Sequence, residues 1–173
     1  IDLLVGAWNL VDERATLGWF ERGPEMHFTL HRLELSAPHI FDLQIIELNG
    51  DDRPDILISH SNGVDVYDND GAASPEFVRR PFDETEPLIC TSTVAGDIDG
   101  DGDNDLACAG PWDDNRLRWF RNEGGESPQF TAHTIEDPQH SFTDIQLADF
   151  NGDGFTDIVS AAWVGHHHNW YAG

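Results

Sequence analysis

The feature that most constrains this chain is an internal repeat of about fifty residues. Four segments share an aspartate that precedes a short apolar run: IDLLVGAW (1–8), PDILISHS (54–61), NDLACAGPW (104–112) and TDIVSAAW (156–163). The aligned aspartates, Asp2, Asp55, Asp105 and Asp157, are 53, 50 and 52 residues apart. One unit of this length cannot bury both of its faces, so neighbouring units are expected to stack.

Each unit is predicted to form four short strands. Runs such as DIQLADF and DIVSAA are short and mostly apolar, LRWFRN alternates with a period of two, and FTAHTI supplies a fourth strand. No stretch shows a convincing helical period. Four antiparallel strands in about fifty residues are typical of a β-propeller blade, so the fold class is all-β.

The repeat divides the chain into an incomplete blade (1–40), two complete blades (41–88 and 89–140) and a second incomplete blade (141–173). The first lacks its inner strand and the last lacks its outer one. These ends do not complement each other. We therefore expect about three and a half blades of a longer propeller, with neighbouring blades or domains outside this chain; a self-assembling piece is the alternative.

The stretch DIDGDGDND (97–105) is the best candidate for a metal site. A hard cation such as calcium takes six to eight oxygen ligands, and alternate carboxylates in a tight loop can supply several of them. The predicted ligands are the side chains of Asp97, Asp99 and Asp101, the Asp103 carbonyl and the closing carboxylate of Asp105. Without a cation these charges would repel one another.

Two other units carry versions of the same loop. DFNGDGFTD offers Asp149, Asn151, Asp153, the Phe155 carbonyl and Asp157. ELNGDDRPD is degraded, because Asp52 replaces the turn glycine, but it still offers Glu47, Asn49, Asp51 and Asp55 as weaker ligands. The simpler alternative is that these segments are ordinary hairpin turns, which are often rich in Asp and Gly. Because the same loop occurs at the same position in three repeat units, a structural calcium site in each unit is favoured.

The net charge of −24, with nine arginines and no lysine, argues against binding to nucleic acid or to anionic membranes. No apolar run reaches the roughly 20 residues of a membrane span. Cys90 and Cys108 are predicted to be buried free thiols, and a disulfide between them is the alternative. Strand counting from their shared turn gives them different neighbours and argues against the disulfide.

Strand alternation places a second group of unusual residues on the face opposite the aspartate loops. Its members are aromatic or imidazole side chains in or beside loops: Trp8, Trp112, Trp163, His39, His140, His166, His167 and His168. They suggest a ligand face for sugars, or a second metal such as zinc held by at most two of the consecutive histidines. Packing between blades and a solvated histidine run are the simpler explanations.

The loops DxDGDGxxD and DFNGDGxxD, followed by DI or DL, and the tail WFRNEGG resemble the FG-GAP and VCBS repeats of integrin-α-type β-propellers. The resemblance covers nearly the whole chain. It implies about seven blades in the intact ring, secretion or surface display, structural calcium and a binding or adhesion role toward a glycan or protein.

Some proteins with such repeats are polysaccharide lyases or sugar dehydratases, so an active site at the propeller channel is the alternative function. The absence of lysine and the presence of only two tyrosines make a lyase site based on Tyr or Lys poorly supported in this chain. A non-enzymatic module is therefore favoured, and no catalytic residue is assigned.

Overall fold

The structure is a computed structural model that describes residues 3–9, 14–33, 39–72, 75–82, 88–110, 116–136, 141–163 and 170–171. In these ranges the chain forms fourteen strands and one short 3-10 helix, Pro24–Met26. The strands are β1 Leu3–Asn9, β2 Arg14–Arg22, β3 Phe28–Leu33, β4 Ile40–Ile46, β5 Asp55–His60, β6 Gly63–Asn69, β7 Phe77–Pro81, β8 Ser92–Gly96, β9 Asp105–Ala109, β10 Leu117–Asn122, β11 Phe130–Glu136, β12 Ser141–Ala148, β13 Asp157–Trp163 and β14 Trp170–Tyr171.

The strands form four separate antiparallel sheets, which we call units 1 to 4. Unit 1 has the order β1-β2-β3, unit 2 β4-β5-β6-β7, unit 3 β8-β9-β10-β11 and unit 4 β12-β13-β14. The predicted all-β class with four-stranded antiparallel sheets is therefore confirmed. No helix in the described part of the chain is long and apolar enough to span a membrane.

Burial follows the position of a strand within its sheet. All six residues of β5, DILISH, and all five of β9, DLACA, are buried, so both faces of these strands are covered. Strand β10 is only partly covered and mixes buried with half-buried residues. The second strand of each complete unit is therefore covered on both faces, and its burial includes polar residues such as Asp55 and His60.

The core lies between units. Leu17 of unit 1 packs with Ile56, Ile58 and Tyr67 of unit 2. The largest cluster joins unit 2 residues such as Leu57 and Val66 to Leu106 and Phe120 of unit 3, and a third joins Ala107 and Leu117 of unit 3 to Ile145 and Ile158 of unit 4. Each sheet therefore depends on its neighbours for burial, as the short repeat requires.

The expectation of two free thiols was wrong, because Cys90 and Cys108 form a disulfide with their Cα atoms 5.5 Å apart. The error came from placing Cys90 within the inner strand. Strand β8 begins only at Ser92, and the chain bends at Thr91, so Cys90 lies before the ladder and turns toward β9. Both cysteines are fully buried in the cluster between units 2 and 3.

Removing this disulfide should lower the free energy of unfolding by about 3 kcal/mol, the entropy cost expected for a loop of this length. The two cysteines are separated by 18 residues. Urea unfolding of the parent is compared with that of the Cys90→Ala, Cys108→Ala double variant. The parent is also measured after its disulfide has been reduced. Equal midpoints for all three samples would show that the cross-link contributes nothing.

A buried ion-pair network holds the tight turn between β5 and β6. His60 Nδ1 accepts the Asn62 N–H at 3.1 Å, so its Nε2–H donates to Asp65 Oδ2 at 2.9 Å. Arg79 of β7 donates to the same carboxylate at 2.6 and 3.1 Å. Burial alone would raise the pKa of Asp65, but the bonds from His60 and Arg79 outweigh it and the pKa is lowered.

Asp65→Asn should destabilise the protein by about 2 kcal/mol at pH 7, because it weakens several bonds to a buried charge. A lowered pKa in the folded state means that this stability exists above about pH 4 and is lost as the pH falls through the folded value. The gap between parent and variant should therefore narrow below about pH 4 in urea unfolding.

Asp68→Asn is the matched control on the same strand, since Asp68 pairs with Arg80 at 2.7 Å in a more exposed position. It should cost less than about 1 kcal/mol. If the difference in free energy of unfolding between the parent and Asp65→Asn stayed constant from pH 7 to pH 3, the stabilising role of the Asp65 charge would be contradicted.

Candidate metal centre

The three aspartate loops connect the first and second strands of units 2, 3 and 4. We call them loop 2 (47–55), loop 3 (97–105) and loop 4 (149–157). All three lie at the same end of their sheets, because each leaves the first strand and enters the second in the same repeat position. The order of elements therefore places the predicted metal ligands at one end of the sheets, which we call the rim.

Each loop is folded by its own first residue. In loop 3, Asp97 accepts the N–H of Gly100 at 2.7 Å and of Gly102 at 3.1 Å. In loop 4, Asp149 accepts the N–H of Gly152 and Gly154 at 2.7 and 3.0 Å. The acidic side chain thus draws the loop around itself, and the chain turns sharply at glycines with positive φ, such as Gly102 at +99°.

Loop 2 reaches a similar shape with a longer side chain and a strained residue. Glu47 Oε1 accepts three backbone N–H groups, from Asn49, Gly50 and Asp51, at 2.9, 2.6 and 3.2 Å. Asp52 occupies the position of Gly102 and adopts the same left-handed region, with φ of 63°. The departures noted in the sequence therefore change the chemistry of this loop more than its course.

Loop 3 brings together the side chains that a cation requires. One ligand atom each from Asp97, Asp99 and Asp105 lies within 4.8 Å of the other two. The carboxylates of loops 2 and 4 are not gathered into such a group of three, within the part of the chain that the structure describes. Three carboxylate oxygens at this separation suit a hard divalent cation.

The closing aspartates are the buried members of the loops. Asp105 Oδ2 accepts the Ile98 N–H at 2.9 Å and Asp157 Oδ2 accepts the Phe150 N–H at 2.9 Å. Asp55, Asp105 and Asp157 are 0%, 0% and 1% exposed. Burial raises the pKa of Asp55 to about 6 and also raises that of Asp105, because a desolvated carboxylate is costly.

Loop 2 leaves one oxygen of its closing aspartate without a hydrogen bond. Asp55 Oδ1 accepts the Asn69 N–H at 2.8 Å, but Oδ2 is buried and has no partner. The Leu48 N–H lowers the pKa of Asp55, but it does not form a hydrogen bond with Oδ2. An orphaned, buried carboxylate oxygen is costly in a dry site, and a bound cation would compensate for it.

Arginines supply part of the countercharge along this rim. Arg121 of β10 lies 2.8 Å from Asp99 Oδ2 and 3.3 Å from Asp101 Oδ2. Arg53, inside loop 2, lies 3.4 Å from Asp51 Oδ2. The Asp103 N–H and then Arg121 lower the pKa of Asp101, which favours its charged form. These exposed pairs offset some repulsion in the loops but are screened by solvent.

Two asparagines with no predicted role, Asn69 and Asn122, fasten loops 2 and 3 to the third strands of their units. The Asn122 N–H donates to Asp105 Oδ1 at 2.7 Å, and its Nδ2 donates to the Asn104 and Leu48 carbonyls at 3.0 Å each. Asn69 does the same for loop 2, donating to Asp55 at 2.8 Å and to the Pro54 carbonyl at 3.0 Å.

A sequence signal for these asparagines exists. Both belong to an N-x-G triplet, Asn69 to Gly71 and Asn122 to Gly124, in which the asparagine Oδ1 accepts the glycine N–H at 2.9 Å. The two triplets are 53 residues apart, close to the repeat period. The pattern was visible, but asparagine and glycine are so common in turns that only the contact with the loop shows their role.

The residues of the predicted ligand face are only partly described. Trp8 lies in β1 and Trp163 in β13, near the strand ends remote from the aspartate loops. The His39 carbonyl accepts the Ser61 N–H at 3.0 Å, and the His39 residue is exposed. Trp112, His140, His166, His167 and His168 lie outside the described residues.

The comparison with known families agrees with the repeated loops. The FG-GAP-like repeat matches residues 48–108 and 97–160, which together span more than half of the chain. This chain belongs to the FG-GAP-like repeat family. Each match runs from one aspartate loop to the next, so loop 3 is shared by the two FG-GAP-like repeats. A comparison with curated proteins found no match.

Asn122→Ala should destabilise this FG-GAP-like protein more than Asn69→Ala, because Asn122 makes one additional bond, to Leu48 of the preceding unit. Loss of one such bond costs about 1 kcal/mol. Urea unfolding in the presence of a chelator measures the difference without any contribution from bound metal. Equal losses, or a larger loss for Asn69→Ala, would contradict this account of the asparagines.

Proposed function

We propose that the chain is part of an extracellular, calcium-stabilised β-propeller that acts as a binding or adhesion module for a glycan or protein. The observation that carries the proposal is the gathering of Asp97, Asp99 and Asp105 within 4.8 Å in loop 3. Membership of the FG-GAP-like repeat family supports both the propeller architecture and the use of calcium.

The residues present fit calcium in their chemistry. Loop 3 offers carboxylate oxygens from Asp97, Asp99, Asp101 and Asp105 and the Asp103 carbonyl, all of them hard donors. The orphaned Asp55 oxygen favours a cation in loop 2 as well, held with Glu47, Asn49 and Asp51. Loop 4 offers Asp149, Asn151, Asp153, the Phe155 carbonyl and Asp157. Bound calcium would supply positive charge that offsets carboxylate repulsion.

The disulfide supports an oxidising environment. Disulfides persist in secreted and surface proteins and are rare in the cytosol. The bond between Cys90 and Cys108 is buried and sits at the junction of units 2 and 3. A secreted or cell-surface location therefore fits both the covalent link and the calcium loops.

Recognition is assigned to the end of the sheets remote from the aspartate loops. Trp8 and Trp163 recur there at the ends of second strands, and tryptophan rings suit the apolar faces of sugars. A glycan array probed with the protein in calcium tests this assignment, and Trp8→Ala and Trp163→Ala are the matched variants. Binding that survives both substitutions, or no binding to any glycan or protein ligand, would contradict it.

Calcium should raise the melting temperature, because it binds the folded state selectively. At a calcium concentration of about 100 times the Kd the gain is about 2.7 kcal/mol, which corresponds to about 5–10 °C for a chain of this size. Asp99→Ala and Asp153→Ala should each remove one loop's contribution, because each takes away a ligand oxygen. The measurement is thermal unfolding in calcium and in chelator.

Glu126→Gln is the control for this experiment, because Glu126 is an exposed acid outside the loops. It should leave the calcium-dependent shift unchanged. Equal melting temperatures of the parent in calcium and in chelator would refute the proposed role of calcium.

A further inference from the structure

Loops 2 and 3 are each held by a side chain from the loop of the next unit. Asn104, the eighth residue of loop 3, donates its Nδ2–H to the Glu47 carbonyl of loop 2 at 2.9 Å. Thr156, the eighth residue of loop 4, donates its hydroxyl to the Asp97 carbonyl of loop 3, also at 2.9 Å. The same loop position therefore makes the same contact at two successive junctions between units.

The accepting carbonyls belong to residues that define the preceding loop. Glu47 and Asp97 are the first residues of loops 2 and 3, and their side chains accept the backbone N–H groups that fold those loops. Fixing the main chain of this residue limits where its carboxylate can lie. Loop 2 has Pro54 at the eighth position, and proline has no side-chain donor.

We propose that Asn104 and Thr156 are positioning residues for the metal loop of the preceding unit, so that neighbouring loops bind calcium as coupled sites. The proposal rests on the calcium binding proposed above. Thr156 is itself part of loop 4, between Phe155 and the closing Asp157. Ordering of loop 4 by a cation therefore also orders the group that holds loop 3.

The direction of the effect follows from linkage. A loop whose first residue is already fixed loses less conformational freedom when it binds a cation, so its affinity is higher. The effect is reciprocal, because calcium in loop 3 must favour calcium in loop 4 by the same factor. The free energy of one neutral hydrogen bond limits the loss of affinity to at most roughly 2- to 12-fold.

The test removes the Thr156 hydroxyl and reads the affinity of the other loop. Thr156→Val keeps the shape of the side chain without its donor, and Thr156→Ser keeps the donor. Both are placed in a chain in which Asp51→Ala and Asp153→Ala each remove a ligand oxygen and disable loops 2 and 4, so that loop 3 binds alone. Calcium affinity is measured by isothermal titration of the full chain.

We expect Thr156→Val to weaken calcium binding by loop 3 by roughly 2- to 12-fold, and Thr156→Ser to restore it. In the reciprocal chain, with Asp51→Ala and Asp99→Ala, loop 4 binds alone and Thr156→Val should change its affinity less than twofold. An equal loss in both chains, or no loss in loop 3, would overturn the proposal. The proposal would also be overturned if Thr156→Val lowered the free energy of unfolding in chelator but left the calcium affinity of loop 3 unchanged.

Asn104→Ala provides an independent test at the junction of units 2 and 3, should Thr156→Val fail to fold. With loops 3 and 4 disabled by Asp99→Ala and Asp153→Ala, Asn104→Ala should weaken calcium binding by loop 2 by a similar factor. Unchanged affinity there would contradict coupling at that junction. If the parent chain binds calcium but these variants do not shift it, only the coupling fails. If the parent binds none, the proposed function fails with it.

Discussion

The buried carboxylate at the start of each second strand is the interaction on which the rest of the structure depends. Asp105 accepts N–H groups from its own loop through one oxygen and from Asn122 of the third strand through the other. Asp55 binds Asn69 in the same way, at 0% exposure. A charge so deeply buried is costly unless it is bonded, so the bonds that Asp55 and Asp105 accept from the third strand hold loop and strand together.

Contacts between units occur at both ends of the sheets. At the loop end, Asn104 and Thr156 bind the carbonyls of the preceding loops. Toward the other end, Asp42 of β4 accepts the N–H and hydroxyl of Thr93 in β8, at 2.6 and 2.8 Å. The Asp42 carboxylate therefore joins two neighbouring sheets. The apolar clusters lie between these polar contacts. The polar bonds therefore fix how neighbouring sheets are positioned, and apolar burial supplies most of the free energy that holds the sheets together.

The repeat made the strands and the closing aspartates predictable, because a period of fifty residues, alternation and an acidic turn are local signals. The Cys90–Cys108 bond was not predictable, since it depends on a bend at Thr91 that delays the start of β8. Asn69 and Asn122 were missed for a related reason: their partners lie fourteen to seventeen residues away in the chain, on an adjoining strand. Local patterns give elements, whereas such contacts depend on how those elements are placed.

The most direct test of the account is to count the calcium ions bound by the folded chain, using native mass spectrometry after equilibration at millimolar calcium. We expect at least one calcium ion bound to the parent by loop 3, and loss of that ion in Asp97→Asn. A folded parent chain that retains no calcium would show that the aspartate loops hold the sheets together through hydrogen bonds and arginine pairs alone, and would contradict the central claim.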